Sequence, residues 1–247
     1  MSDSIPSGYE NEPVERFEPL PDPQAALYYQ VETDTIVADI RFYARVFQFY
    51  GCTRIVELGC GPNRIGSALH QHGFAVLGID LSPAMLQLAR KRRPGSHLVQ
   101  MDMCRLGLQP CFDGALIAYH TLNLLCGRKR IMSALQQIRA VLVEPSVLIL
   151  HLFVASEELR AEPETRQLQF SLHDLPDGAR LVSELIRSYD PGQQLLELEQ
   201  RYKLRYWGKP ERNRNFSSRM RLAAWPEHQW LELINEAGFR ILPLPAE

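Results

Sequence analysis

Three carboxylates in this chain stand where short apolar runs end: Glu57 in "RIVELGCG", Asp80 closing "FAVLGID" and Asp102 closing "HLVQMD". Gly59 and Gly61 follow the first of them. A glycine pair after a strand lets the backbone turn tightly and lets a ligand approach the amides with no Cβ in the way. The carboxylates select what that ligand is. Asp80 suits a ribose, because one carboxylate accepts from both sugar hydroxyls. Asp102, followed by Met103, suits the amino group of an adenine edge. Glu57 repels a pyrophosphate and attracts an amino group. The dinucleotide fingerprint G-x-G-x-x-G also fails on spacing, since the sixth position from Gly59 is Arg64. Both facts argue against a nicotinamide oxidoreductase.

Such residues act together only on a scaffold that gathers strand ends. The order of patterns supplies one. "RIVEL", "FAVLGID", "HLVQMD", "FDGALIAYH" and "SVLILHLFVA" read as strands, and "NRIGSALHQHG", "SPAMLQLARKRR" and "RKRIMSALQQIRAVL" as helices between them. Ser82 and Pro83 form a helix start, and the basic residues at 90–93 suit that helix's C-terminal dipole. The alternation predicts an α/β fold: a doubly wound, Rossmann-like, mainly parallel sheet with helices on both faces. Beyond about residue 160 the pattern changes. Two β-like runs flank the turn Asp190-Pro191-Gly192, and "SSRMRLAAW" is a third. They predict a small antiparallel addition over 160–224. "PEHQWLELINEAG" reads as a helix and "FRILPL" as a last strand.

Composition sets the outer bounds. The chain has 247 residues, 45% hydrophobic and 23% charged, with a net charge of −2, so no global field calls for nucleic acid or an acidic membrane. Residues 1–24 are acidic and rich in Pro and Ser, which predicts a flexible arm. Residues 25–50 repeat apolar positions at helical spacing, with Ile36, Ile40, Tyr43, Ala44 and Phe47 on one stripe. They predict one or two N-terminal helices ahead of a main domain over 51–247. Five cysteines with no C-x-x-C spacing predict buried thiols and no metal site. No signal pattern or membrane-length apolar run is visible, so the expected location is the cytoplasm.

With those residues in view, the chain resembles the class I S-adenosylmethionine-dependent methyltransferases of the small-molecule type. "VELGCG" is similar to their first motif, "GIDLSPAML" to the second, "VQMDM" to the third and "FDGALIAYHTLNLL" to the fourth. The resemblance covers about residues 35–155 and extends weakly to "LELINEAGFRIL". It implies S-adenosyl-L-methionine as cofactor and S-adenosyl-L-homocysteine as product. Glu57, Gly59, Cys60 and Gly61 would line the methionine part, Asp80 would hold the ribose, Leu81 would pack beside the adenine, and Asp102 with the Met103 amide would read its edge. Asn63 stands where the family commonly has a third glycine. Asparagine tolerates positive φ better than most residues, so the turn survives.

The acceptor side is less determined. Methyl transfer is an in-line displacement in which alignment matters most; an amine acceptor needs a free lone pair, a hydroxyl usually a base. His120, just past the fourth strand, is the candidate base, and His151 reads as core. The resemblance implies that residues 25–50 form an N-terminal helical lid over the cofactor, so Tyr28 and Tyr29 on it are candidate substrate contacts. Arg219 and Arg221 alternate with Met220, and one facing the pocket would hold an anionic small-molecule acceptor. The stretch 201–221 carries eight cations against Glu211, which keeps a nucleic-acid or protein acceptor open as an alternative, as is a non-catalytic partner that binds the cofactor. No Asn/Asp-Pro-Pro-aromatic motif follows the fourth strand, so nucleic acid is not the expected partner. The expected assembly is a monomer or homodimer.

Overall fold

In the computed structural model, residues 15–161 and 167–244 are described; most of the expected acidic arm, residues 1–14, lies outside them. The first half forms the parallel sheet. Its strands are β2 (Arg54–Leu58), β3 (Ala75–Asp80), β4 (His97–Gln100), β5 (Phe112–Ile117) and β6 (Leu142–Leu150), preceded in the chain by a short β1 (Glu18–Pro19) that joins another sheet. They line up β4-β3-β2-β5-β6, all pairs parallel. Ile55, Val56 and Leu58 of β2 are fully buried, as a central strand covered on both faces requires.

The helices α1 (Asp22–Thr33), α2 (Ala38–Phe49), α3 (Arg64–Gln71), α4 (Pro83–Arg92), α5 (Arg128–Val141), α6 (Glu157–Ala161) and α7 (Glu227–Glu236) complete the fold. On α5, Ile131, Ala134, Leu135, Ile138 and Val141 recur at helical spacing and pack on the sheet with Trp230 and Leu233 of α7. On the opposite face, Tyr43, Ala44 and Phe47 of α2 and Ile65 and Leu69 of α3 cover Ile55 and Leu116. Ser82 caps α4, its Oγ accepting from Met85 N at 3.3 Å, as the sequence predicts.

The predicted addition is a second five-stranded sheet: β7 (Gln167–Asp174), β8 (Ala179–Asp190), β9 (Leu195–Tyr206) and β10 (Arg214–Ala223), in the order β1-β10-β9-β8-β7. Asp190 makes its turn, Oδ1 accepting from Gly192 N at 2.8 Å and Gln193 N at 3.0 Å. The sheet is anchored by Asn123, fully buried just past β5. Its Nδ2 donates to Phe153 O at 2.9 Å and Ala223 O at 2.6 Å, and its Oδ1 accepts from Phe153 N at 3.1 Å.

Three sequence expectations change. The end of the expected arm is ordered: Glu18–Pro19 pairs in parallel with Phe216–Ser217, and Phe17 lies beneath the Arg201 guanidinium, 5.4 Å from its ring centroid. Residues 239–244 form no strand. Pro243 has no N–H for a ladder, and the segment is held by Leu242 in the α2 core and by Tyr50 Oη donating to Pro243 O at 2.5 Å. Strand β7 has no counterpart in the sequence reading, although Leu168, Phe170 and Leu172 alternate along it and are exposed.

Candidate active site

The carboxyl ends of β2, β3 and β5 meet at one point, and the glycine turn sits there. Gly59 has φ +69° and Gly61 φ +53°, values that favour glycine. A Cβ on Gly59 would run into the Thr121 side chain. The turn is tied to β3: Gly59 N and Cys60 N donate to Ile79 O at 2.7 and 2.9 Å, and Gly61 N donates to Asp80 Oδ2 at 2.8 Å. Asp80 Oδ1 accepts from Ser82 N at 2.8 Å. A carboxylate has about four lone-pair sites, so Asp80 keeps acceptor capacity on both oxygens. Cys60 is buried, and a Cβ on Gly78 would lie 3.0 Å from its Sγ.

Asn63 adopts the left-handed conformation at φ 59°, ψ 38° and opens α3. Its Nδ2 donates to Ser96 Oγ at 3.1 Å. The glycine missing at the sixth position of the fingerprint reappears two residues on. A Cβ on Gly66 would lie 2.6 Å from Glu57 Oε2 and collide with Asn63 Oδ1. Arg64 does different work: it makes a bidentate pair with Asp39 of α2, Nη1–Oδ1 2.9 Å and Nη2–Oδ2 2.6 Å, and it also reaches Ile36 O. Arg92 joins Asp34 and donates to Pro62 O at 2.9 Å through Nε. Two arginines thus tie α2 and the end of α1 to the glycine turn.

Glu57 is buried beneath this turn. Its Oε2 has no hydrogen-bond partner among the described residues. Burial pushes its pKa up to about 8, against the Gly66 amide and the Arg64 charge, which lower it. An orphaned buried carboxylate oxygen is costly and suits a cationic amino group. Around it, Tyr29, Glu57, Gly59, Cys60, Ala118 and Tyr119 line a small cavity. Leu81, beside Asp80, is 62% exposed, an apolar side chain free to take a flat ring. Asp102 closes a turn through Cys104 N, at 2.9 Å, and Met103 packs half-buried on the core.

His120 and Tyr119 both take left-handed backbone conformations, at φ 62° and 53°, where the chain leaves β5. His120 N donates to His151 O at 3.0 Å. The two imidazoles lie edge to face with centroids 4.7 Å apart. Burial, with the neighbouring His151 second, pushes His120 down to about 4, so it is neutral at pH 7. Its Nδ1 is buried without a partner among the described residues. His151 Nδ1 lies 2.8 Å from Tyr43 Oη. His151 is therefore a neighbour of the site as well as a strand-end residue.

The structure separates the two tyrosines of α1. Tyr29 stands edge-on to Tyr119, centroids 6.3 Å apart, and its ring would be 3.6 Å from a Cβ on Gly61. Tyr28 points away. It is buried against Tyr202, 5.0 Å between centroids, among Leu175, Leu181 and Phe216, so its expected substrate contact becomes core packing. Arg219 and Arg221 are also corrected. Both sit on the outer face of the second sheet and pair with glutamates directly across: Arg219 Nη2–Glu199 Oε2 3.3 Å and Arg221 Nε–Glu197 Oε1 2.9 Å. Neither faces the cleft.

Five strands in this order, a glycine turn on the first and carboxylates at the ends of the first three make a Rossmann-like domain whose ligand site lies at the carboxyl ends of the strands. Residues 55–144 match the model of a methyltransferase domain family. Trans-aconitate 2-methyltransferase of Paracidovorax citrulli is 38% identical over 87 residues, 34% of this chain and 33% of that protein. The matches span less than half the length of these curated relatives. Among solved structures, the sugar N-methyltransferase KedS8 from a Streptoalloteichus species superposes with TM-score 0.73 at 18% identity, covering 96% of this chain and 90% of that one. CalS10, an amino pentose methyltransferase from Micromonospora echinaspora solved with S-adenosylmethionine bound, superposes with TM-score 0.69 at 20% identity, covering 92% and 91%. The fold is shared with both. The residues of the turn fit the cofactor: an orphaned buried carboxylate oxygen for the amino group, glycines without Cβ, and a carboxylate with spare lone pairs.

Proposed function

We propose that this chain is an S-adenosylmethionine-dependent methyltransferase acting on a nitrogen or oxygen of a small-molecule acceptor. The observation that carries the reading is the pairing of Gly61 N with Asp80 Oδ2 in the turn that follows Glu57, whose buried Oε2 has no partner among the described residues. In this reading Glu57, Gly59, Cys60 and Gly61 hold the methionine part, Asp80 the ribose, Leu81 the adenine face, and Asp102 with Met103 the adenine edge. The bound cofactor supplies an electrophilic methyl group. The chain orients the acceptor against it and excludes water, with Tyr29 and Tyr119 as one wall. His120, neutral at pH 7, is the candidate base for a hydroxyl acceptor's proton; an amine acceptor arriving unprotonated needs no base.

Two observations favour a small acceptor over nucleic acid. Five of the eight cations of 201–221 pair with carboxylates: Lys203 with Glu15 and Glu184, Arg205 with Glu15, Arg201 and Arg219 with Glu199, and Arg221 with Glu197. The relative and neighbours above are named for trans-aconitate and for sugars. The test gives purified protein methyl-labelled cofactor and a cell extract split by size. Label in the small-molecule fraction is expected. Label in RNA or protein alone overturns the acceptor class, and no transfer anywhere despite tight cofactor binding overturns the transferase reading.

A further inference from the structure

The second sheet has two faces, and they differ in charge pairing. On the outer face Arg219 and Arg221 pair with Glu199 and Glu197 directly across, Arg201 pairs with Glu199 on its own strand, and Lys203 pairs with Glu184 diagonally across. On the inner face, odd-numbered residues of β8 alternate inward: Ala179, Leu181, Ser183 and Tyr189 are buried. Arg187 belongs to this row. Among the described residues its only side-chain partner is neutral, Nη2 donating to Gln169 Oε1 at 3.1 Å, and it is half-buried.

Register places Arg187 on the inner face of the second sheet, the face whose packing runs through Phe153 to His120. It is the register partner of Leu198 on β9, Leu198 packs in one cluster with Phe153 and Tyr189, and the Phe153 ring lies 6.0 Å from His120. Its charge also reaches the cleft. Burial chiefly lowers the His120 pKa and raises that of Tyr119, and the Arg187 guanidinium lowers both. Leaving a guanidinium half-desolvated without a carboxylate is unfavourable, unless a ligand supplies the anion.

We propose that Arg187 is the acceptor-recognition residue of this site, pairing with a carboxylate or phosphate on a small anionic acceptor whose nucleophilic atom then lies beside His120. This rests on the methyltransferase reading. The guanidinium presents parallel N–H donors that match either anion bidentately, and the neighbouring Gln169 amide fixes the fork. The role expected of Arg219 or Arg221 from sequence thus falls to a different strand and the opposite face.

The test uses the intact chain with methyl-labelled S-adenosylmethionine and the small-molecule fraction of a cell extract, resolved by anion exchange after the donor is removed. Wild type is expected to label a product retained as an anion. Arg187→Gln is expected to lower kcat/KM for that product by roughly 10–100-fold, the scale of a lost charge-assisted hydrogen bond, with S-adenosylhomocysteine affinity unchanged. Arg187→Lys is expected to recover part of the loss. Phosphatase treatment separates the two sources: loss of retention marks a phosphate, persistence a carboxylate. A labelled product that is neutral or cationic, or an anionic one made equally well by Arg187→Gln, overturns the proposal and leaves the transferase reading intact. No labelled product in any fraction overturns that reading and this inference with it.

Discussion

Asp80 Oδ2 accepts the Gly61 amide at 2.8 Å, so one carboxylate both shapes the glycine turn and faces the space beyond it. Asp80→Ala is expected to weaken S-adenosylhomocysteine binding by about 1–3 kcal/mol, from the hydrogen bonds to a charged group. Asp80→Asn retains an acceptor oxygen and should lose less. Calorimetric titration of both variants checks this; wild-type affinity in Asp80→Ala would sink the ribose assignment.

Gly66 is a packing requirement. Asn63 Oδ1 and Glu57 Oε2 fill the place a Cβ would take. Gly66→Ala should cost about 1–3 kcal/mol of stability, as overpacking does, despite alanine's better helix propensity. Urea denaturation measures it, and a stabilised variant would contradict the packing described.

Glu57 gives a pH signature. Its folded pKa, about 8, lies above the unfolded carboxyl value of about 4.3. The folded state therefore binds more proton between those values. Its contribution is complete below the lower one and is lost as pH rises through the upper. Apo Glu57→Gln should thus gain stability relative to wild type on going from pH 5 to pH 8. Binding a cationic amino group favours the carboxylate, so cofactor binding near pH 6.5 should release a proton, and Glu57→Gln should abolish that release. Titrations in buffers of different ionisation enthalpy detect it; equal proton release in both proteins would refute the contact.

His120 is neutral above about pH 4. Turnover should show no break from His120 between pH 5 and 8. If the acceptor is a hydroxyl, His120→Ala should lower kcat by roughly 100-fold or more with cofactor affinity unchanged. Turnover within a few-fold of wild type would remove the base role and mark a nitrogen acceptor.

Arg219 and Arg221 are paired on the outer sheet face with side chains 82% and 61% exposed. Arg219→Ala and Arg221→Ala should each change stability by about 0–1 kcal/mol and leave turnover within a few-fold. Thermal denaturation and labelled-methyl assays decide; a large loss of turnover in either variant would return that arginine to the acceptor pocket.

What the sequence alone determined was the local chemistry. The strand–turn–helix alternation, the carboxylates closing β2, β3 and β4, and the left-handed Asn63 follow from periodicity, end position and backbone sterics, each confined to a few neighbouring residues. Tertiary structure decided the rest, because it depends on which face a strand turns toward its neighbours. Arg219 and Arg187 are both arginines on β-like runs; only the register of β8, β9 and β10 puts Glu199 opposite the first and turns the second to the inner face opposite Leu198. Tyr28 and Tyr29 are adjacent, yet one helical step sends the first into the core and the second over the glycine turn. Arg64 reads as a broken fingerprint until Asp39, distant in sequence, arrives within 2.6 Å.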